Sequence, residues 1–141
     1  MGYTHYYEHK ETSEPRWNLI LRDCKKLAAS LPTGVEIAGW DGTGEPVFND
    51  NQIRFNGVAP HSHETFVLER CPGENQFAFT KTAQKPYDLL VCACLLVYKR
   101  HSPDSMSLSS DGGPGEWRNA EVFVKTVLQY EVSYFDYMEG S

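Results

Sequence analysis

The sequence predicts an α+β fold, in which a single, mostly antiparallel sheet packs with about three helices in the order β-α-β-β-β-β-α-β-α. Three stretches carry apolar residues at helical spacing, and six short runs have the alternation or composition of strands. Turns rich in Gly, Pro and Asn separate most of these runs. With 141 residues, the chain fits a single globular domain over residues 1–141.

The first two elements are a strand and an amphipathic helix. In the segment GYTHYYEH, the side chains of Tyr3, His5 and Tyr7 share one face of an extended chain. The helix is predicted over residues 12–32, where apolar side chains recur every third or fourth position. Ser13 can cap its first turn, and a proline and a glycine end it.

Four strands are predicted next, in VEIAGW (35–40), QIRFNG (52–57), ETFVLER (64–70) and QFAFTKT (76–82). Turn-rich segments separate the last three, so we expect these three to form an antiparallel meander. Phe77 and Phe79 share one face of their strand, and Lys81 continues that face. An apolar face that ends in a lysine predicts that Lys81 lies at the rim of the core.

The segment FTKTAQKPYDLLVCACLLVYKR, residues 79–100, predicts a helix of about 15 residues that is apolar nearly all round and therefore deeply buried. Pro86 suits its first turn, while Asp88 and Arg100 complement the two ends of the helix dipole. A strand in SMSLSS and a third helix in EWRNAEVFVKTVLQY follow. The last residues, 130–141, form an aromatic and acidic tail.

Composition restricts the classes of function. The formal net charge is −6 without a basic stripe, so no nucleic-acid partner is expected. The longest apolar run has about half the length that spans a bilayer, and the N-terminus lacks a signal-peptide pattern. We therefore expect a cytoplasmic protein that makes no membrane contact. Its four cysteines are expected to be reduced and mostly buried, and Cys92-Ala-Cys94 lacks the spacing of a zinc knuckle.

The segment HSHET is the first candidate for chemistry. On an extended chain, His61 and His63 point the same way, as metal ligands do, but a zinc site needs at least one more ligand. His5, His9 or Asp111 can complete such a site in three dimensions, although nothing in the spacing requires it. We therefore assign no metal ligands and no cofactor, and we keep acid–base chemistry at His63 as an alternative.

The segment DGTGEP, residues 41–46, contains two glycines that can let backbone N–H groups approach an anion. It lacks the spacing of a P-loop, and Asp41 and Glu45 would repel a phosphate group. A turn between strands is therefore the favoured interpretation.

The segment KTAQKPYD is the main candidate for ligand binding. Lys85 stands just before a helix N-terminus, where free N–H groups and the helix dipole favour an anion. Lys81 and the Thr82 hydroxyl supply further ligands for a phosphate or a carboxylate. The alternative is a structural role for Asp88, whose carboxylate can cap the same N–H groups and pair with a lysine.

These motifs resemble a family of small proteins encoded by tailed phages, prophages and some bacteria, whose members open Met-Gly-Tyr-Thr-His-Tyr-Trp. This chain matches at residues 1–6 and has Tyr7 in place of the tryptophan. The similarity continues at IRFNG, HETF, the KTA-KPYD pattern and SDG before a tryptophan, and so covers most of the chain. His61 lies outside the pattern. The resemblance implies a phage-type context, hence the cytoplasm of a host cell, but it implies no reaction.

We expect a small-molecule-binding protein whose pocket takes an anionic, nucleotide-like ligand. In a phage-type context, one version of this function is sequestration of a host defence nucleotide signal. Convergent polar groups at one end of the sheet would orient the ligand. The expected ligand-binding residues are Tyr3, His5, Asn56, His63, Glu64, Lys81, Thr82, Lys85, Tyr87 and Asp88.

Two other classes of function stay open. A small hydrolase or transferase would use His63 or Glu64 as general base, with Lys81 or Lys85 stabilising negative charge. A protein-interaction module would use the aromatic tail from Tyr130 onwards. The sequence leaves the oligomeric state open, with a homo-oligomer as one option.

Overall fold

The structure, a computed structural model, describes residues 3–139. Its strands are β1 (Thr4–His9), β2 (Ile37–Ala38), β3 (Val47–Phe48), β4 (Gln52–Gly57), β5 (Phe66–Glu69), β6 (Phe77–Lys81) and β7 (Met106–Ser110). Its helices are α1 (Glu14–Ala28), α2 (Asp88–His101), α3 (Pro114–Leu128) and the single turn α4 (Tyr134–Tyr137). The predicted α+β class is confirmed. Met1 and Gly2 of the opening motif, with the last two residues of the tail, lie outside the described residues.

The strands form two antiparallel sheets rather than the single predicted sheet. One sheet has the order β6-β1-β7, and the other has the order β2-β4-β3 with β5 also paired to β4. β4 and β5 pair as the meander predicted, but β6 pairs with β1 instead, placing Phe79 opposite Tyr6. Alternation within a strand shows which side chains share a face, but it does not show which strand lies next to it. The division into two sheets could therefore not be predicted from the sequence.

The face of β6 that carries Phe77 and Phe79 points outward. Each of these two side chains is 49% exposed, whereas Thr80 is buried. Placing the aromatic face of this strand on the core was therefore wrong. An alternating pattern identifies two faces, and the helices that cover one of them decide which face is buried.

Helix α2 is buried along most of its length, as predicted. All its residues from Leu90 to Lys99 are buried, and α1 and α3 both pack against it. Trp17 of α1 and Trp117 of α3 are fully buried beside it. Among residues 3–139, no helix combines the length and the apolar character needed to cross a membrane.

The C-terminal tail packs back onto the body of the protein. The Glu139 N–H donates to the Leu108 carbonyl of β7 at 2.8 Å. The Tyr130 hydroxyl donates to the carboxylate of buried Asp23 at 2.8 Å. Phe135, which is 65% exposed, is the large side chain that this tail leaves in solvent.

Candidate functional site

A buried histidine joins β1 to the first turn of α2. His5 points inward from β1 and is fully buried, because alternate residues of this strand face the helices. Its Nε2 atom lies 2.6 Å from Oδ1 of Asp88, the first residue of α2. The Thr82 hydroxyl donates to the same carboxylate oxygen at 2.6 Å. The predicted site residues His5, Thr82 and Asp88 are thus brought together.

Cys92 completes this group from the next turn of α2. Its Sγ atom lies 3.4 Å from His5 Nε2 and 3.6 Å from Asp88 Oδ2. Residues four apart on a helix share a face, which explains why Asp88 and Cys92 meet the same histidine. The three donor atoms of His5, Asp88 and Cys92 all lie within 4.8 Å of one another.

Ser110 determines which nitrogen of His5 carries the proton. Its Oγ atom accepts hydrogen bonds from Trp117 Nε1 at 3.2 Å and from the Gly112 N–H at 2.9 Å. A hydroxyl has two acceptor lone pairs and one hydrogen, so Ser110 is left with its hydrogen to donate. It donates to His5 Nδ1 at 2.7 Å. His5 therefore carries its own proton on Nε2 and donates it to Asp88.

The Tyr3 hydroxyl lies beside this group without a hydrogen-bond partner among the described residues. Burial, followed by the neighbouring Cys92 and the carboxylate of Asp88, raises the pKa of Tyr3. Gly112 packs directly against it, because a Cβ atom placed on Gly112 would lie 2.1 Å from the Tyr3 oxygen. Only a residue without a side chain leaves room for this tyrosine.

A pocket of about 180 Å³ opens beside the first turn of α2 and contains the two α2 members of the group. It is lined by Gln84, Lys85, Pro86, Asp88, Leu89, Cys92, Glu116, Asn119 and Ala120. Asp88 and Cys92 therefore have one side against His5 and another against the pocket. Its charged lining consists of one lysine, Lys85, and two carboxylates, Asp88 and Glu116, so it is not an anion site by charge alone.

The loop that leads into the pocket holds two residues in a costly backbone conformation. Ala83 and Gln84 have φ values of 52° and 55°, in the left-handed region that side chains disfavour by roughly 1–2 kcal/mol per residue. The turn closes with the Lys85 N–H donating to the Thr82 carbonyl at 3.0 Å. This turn places Lys85 on the pocket wall while Thr82 contacts Asp88.

The N-terminus of α2 has no free donors for an anion. The N–H groups of Asp88, Leu89, Leu90 and Val91 donate to carbonyls of residues 85–87 at 2.9–3.4 Å. The capping role that the sequence offered for Asp88 is wrong, because its carboxylate makes no hydrogen bond to the N–H groups of its own helix. It contacts His5 and Thr82 and lines the pocket.

The other predicted site residues serve the backbone of the 56–65 loop. Asn56 Oδ1 accepts the His63 N–H at 3.0 Å, and Asn56 Nδ2 donates to the His63 carbonyl at 2.9 Å. Tyr87 donates its hydroxyl proton to the Glu64 carbonyl. The Glu64 side chain accepts the Lys81 N–H at 2.8 Å. These contacts hold the loop in place, while the His63 and Lys81 side chains are exposed.

Comparisons with protein-family models, curated proteins and solved structures found no match for this chain. Sequence reasoning missed Cys92, Ser110 and Trp117 as members of the group. For Cys92 a signal was present, since it lies four residues after Asp88 on a strongly predicted helix. For Ser110 and Trp117 no local pattern indicated a contact with His5.

A nucleophilic serine is the first chemistry to consider, because Ser110, His5 and Asp88 form a hydrogen-bonded chain. In a Ser–His–Asp triad, the histidine accepts the serine proton and the serine oxygen attacks the substrate. Here both lone pairs of the Ser110 oxygen already accept hydrogen bonds from Trp117 and Gly112. The pocket is lined by Asp88 and not by Ser110. The chain therefore orients His5 and is not arranged for nucleophilic attack.

A nucleophilic cysteine is the second chemistry. Cys92 contacts the pocket, but burial and then the adjacent Asp88 carboxylate raise its pKa well above that of a free thiol. Nucleophilic attack needs the thiolate, which such surroundings disfavour. Cys92 is thus poorly suited to act alone, unless a cation replaces the proton.

A metal ion is the third chemistry, and the donor set fits it. Imidazole, carboxylate and thiolate are the ligands that zinc takes in proteins, and catalytic sites keep one position open. The bond lengths of a tetrahedral zinc site place neighbouring donor atoms roughly 3.3–3.6 Å apart. Cys92 Sγ lies 3.4 Å from His5 Nε2 and 3.6 Å from Asp88 Oδ2, within this range, whereas His5 Nε2 lies 2.6 Å from the other carboxylate oxygen, Asp88 Oδ1, which is too close for two ligands of one ion.

Proposed function

We propose that this protein binds a divalent transition-metal ion, with zinc as the best fit, through His5 Nε2, a carboxylate oxygen of Asp88 and the Cys92 thiolate. The convergence of these donors on one point beside a pocket carries the proposal. Asp88 and Cys92 contact the pocket, so a fourth position on the ion would face it and take water or a small ligand. The proposed function is that of a small-molecule-binding metalloprotein.

The surroundings of the three ligands support this proposal. Metal-ligating histidines and carboxylates are normally held by second hydrogen bonds, which fix their orientation. His5 is held by Ser110 and Asp88 by Thr82. The ion would also stabilise the Cys92 thiolate, which burial and Asp88 otherwise disfavour, because a coordinated thiol loses its proton outright.

Metal binding moves a proton on His5, and this move gives a role to the Tyr3 hydroxyl, which has no hydrogen-bond partner among the described residues. A metal on Nε2 displaces the proton that His5 donates to Asp88, and the neutral ring then carries its hydrogen on Nδ1. That hydrogen points at Ser110, so the Ser110 hydrogen must turn away and one of the two hydrogen bonds that its oxygen accepts, from Trp117 or from Gly112, must be released. The Tyr3 oxygen lies beside Ser110 and is free to accept it. Tyr3 would therefore take part in metal loading without being a ligand.

The size of the pocket favours a smaller ligand than the nucleotide that the sequence suggested. Pockets for drug-sized ligands usually enclose roughly 300–1,000 Å³, and this one has about 180 Å³. A nucleotide-like ligand stays a prediction from the sequence, and the sequestration of a host defence signal stays a prediction that also depends on the phage-type resemblance. Catalysis by His63 or Glu64 and a protein-interaction role for the tail also stay predictions.

Cobalt titration tests the proposed metal site, because a Co²⁺ ion bound by thiolate gives a near-ultraviolet charge-transfer band. We expect the wild-type protein to bind one equivalent and to show this band. Cys92→Ser should abolish the band. Cys71→Ser is the matched control, since Cys71 is exposed and distant in sequence from the group. Absence of the band in the wild-type protein, or its survival in Cys92→Ser, would overturn the proposal.

A further inference from the structure

The pocket has a polar wall that the three metal ligands do not explain. Lys85 and Gln84 line it from the loop before α2, and Asn119 lines it from α3. The amides can donate or accept hydrogen bonds, whereas the ammonium can only donate. Such a wall suits a ligand with several acceptor oxygens.

We propose that the pocket takes a small oxyanion, such as a phosphate or carboxylate group, and that it does so only when the metal ion is bound. This inference rests on the metal-binding function proposed above. One oxygen of the anion would bind the open position of the ion, and another would accept a hydrogen bond from Lys85. No covalent step is involved.

Charge explains why the metal must come first. Without an ion, the two carboxylates of Asp88 and Glu116 outnumber Lys85, so the pocket repels an anion. A divalent ion adds two positive charges, and ionisation of Cys92 removes one of them. The pocket is then neutral as a whole, with its positive charge concentrated on the ion and on Lys85.

The first turn of α2 supplies no substitute for the ion. The first N–H groups of α2 already donate to carbonyls of residues 85–87. An anion in the pocket therefore lacks the helix N-terminus that often binds phosphate groups. Among the groups lining the pocket, this leaves the ion and Lys85 as the two positive partners.

The size of the pocket limits the ligand. Its volume of about 180 Å³ lies below the roughly 300–1,000 Å³ of pockets for drug-sized ligands. A phosphate or carboxylate group with a short substituent fits this space. The rest of a larger molecule would extend past Glu116 and Asn119, which are exposed residues on α3.

Inorganic phosphate is the probe, and the visible spectrum of the cobalt-loaded protein is the readout. We expect phosphate at about 10 mM or below to change the ligand-field bands of Co²⁺, as for a weak binder in the millimolar range. Lys85→Gln should weaken this binding by at least about tenfold, the lower end of what one hydrogen bond to a charged group contributes. Lys81→Gln is the matched control, because Lys81 is exposed and does not line the pocket. Calorimetry on the metal-free protein should detect no phosphate binding.

The outcomes separate this inference from the metal site itself. If the thiolate band forms but phosphate leaves the ligand-field bands unchanged, the metal site stands and the oxyanion inference fails. Equal affinity in wild-type and Lys85→Gln proteins would reduce phosphate to an adventitious ligand of an open ion. Binding to the metal-free protein would overturn the requirement for metal. Failure of the band to form would remove the metal site together with the inference.

Discussion

The Asp88 carboxylate and the Cys92 thiol lie against the same nitrogen of His5. The distances to Nε2 are 2.6 Å from Asp88 and 3.4 Å from Cys92. In a nucleophile–histidine–carboxylate triad, the nucleophile and the carboxylate take opposite nitrogens of the ring. Their convergence on one nitrogen is instead what three ligands of a shared ion require, with the other nitrogen left for an orienting hydrogen bond.

The first prediction concerns how much the hydrogen bonds of Asp88 contribute to the stability of the metal-free protein. Asp88→Asn should lower the free energy of unfolding by about 1–3 kcal/mol in the presence of a chelator, because His5 and Thr82 lose a charged acceptor. Urea denaturation measures the change. Asp50→Asn is the control, since Asp50 is exposed, and it should stay within about 0.5 kcal/mol of the wild-type value. Equal effects of the two variants would contradict a stabilising role for Asp88.

The second prediction concerns the proton on His5. In the metal-free protein, the ¹⁵N spectrum should show a protonated Nε2 and an unprotonated Nδ1, because Ser110 has only its hydrogen left to offer. Addition of zinc should move the proton from Nε2 to Nδ1, because the ion takes the place of the proton on Nε2. A two-bond ¹H–¹⁵N correlation experiment distinguishes the tautomers.

Ser110→Ala provides the control for this tautomer. It removes the donor to Nδ1 and should allow both tautomers in the metal-free protein. Finding Nδ1 protonated before zinc is added to the wild-type protein would contradict the hydrogen-bond assignment at Ser110. An unchanged tautomer after zinc binding would show that the ion does not use Nε2.

Local sequence signals predicted the main helices and which side chains of β1 share a face, because both depend on spacing along one element. The β-strand period put His5 and Tyr7 on one face, and both are buried. The pairing of β6 with β1 and the contact of Ser110 with His5 escaped prediction, since each joins residues about seventy positions or more apart. Cys92 was missed for another reason. A cysteine within an apolar run looks like any other small apolar residue, because its role depends on which side chains pack against it.

The third prediction concerns Asp23, a buried carboxylate that links α1 to the tail. His101 Nε2 lies 2.7 Å from its carboxylate, and the Tyr130 hydroxyl donates to it at 2.8 Å. Burial raises the pKa of Asp23, but hydrogen bonds from His101, Tyr130 and Arg22 outweigh burial and hold it below its usual value. Because the folded-state pKa is the lower one, Asp23 stabilises the protein above its unfolded pKa. That contribution is lost as pH falls through the folded value.

Asp23→Asn should therefore cost about 1–3 kcal/mol of unfolding free energy at neutral pH, as expected for a buried charged acceptor. The difference from wild type should shrink below about pH 4, where the unfolded-state carboxyl is protonated. Urea denaturation of both proteins at several pH values measures this. A difference that stays constant down to the acid range would contradict a role for the ionised carboxylate.

The fourth prediction concerns the contact between Gly112 and Tyr3. Gly112→Ala should destabilise the protein by about 1–3 kcal/mol, because the new methyl group would lie 2.1 Å from the Tyr3 oxygen and 2.8 Å from Cζ. It should also weaken zinc binding, since a displaced Tyr3 no longer accepts the hydrogen that Ser110 must redirect. Thermal denaturation and zinc calorimetry measure the two effects.

Gly115→Ala is the matched control for this contact. Gly115 lies in the first turn of α3 with nothing within 4 Å of an added Cβ atom, so alanine there should be neutral or stabilising by up to about 1 kcal/mol. Tyr3→Phe combined with Gly112→Ala should recover part of the lost stability, because it removes the atom that the methyl group meets first. The double variant should not recover zinc affinity, since phenylalanine offers Ser110 no acceptor. Recovery of affinity in the double variant would show that Tyr3 acts only through packing.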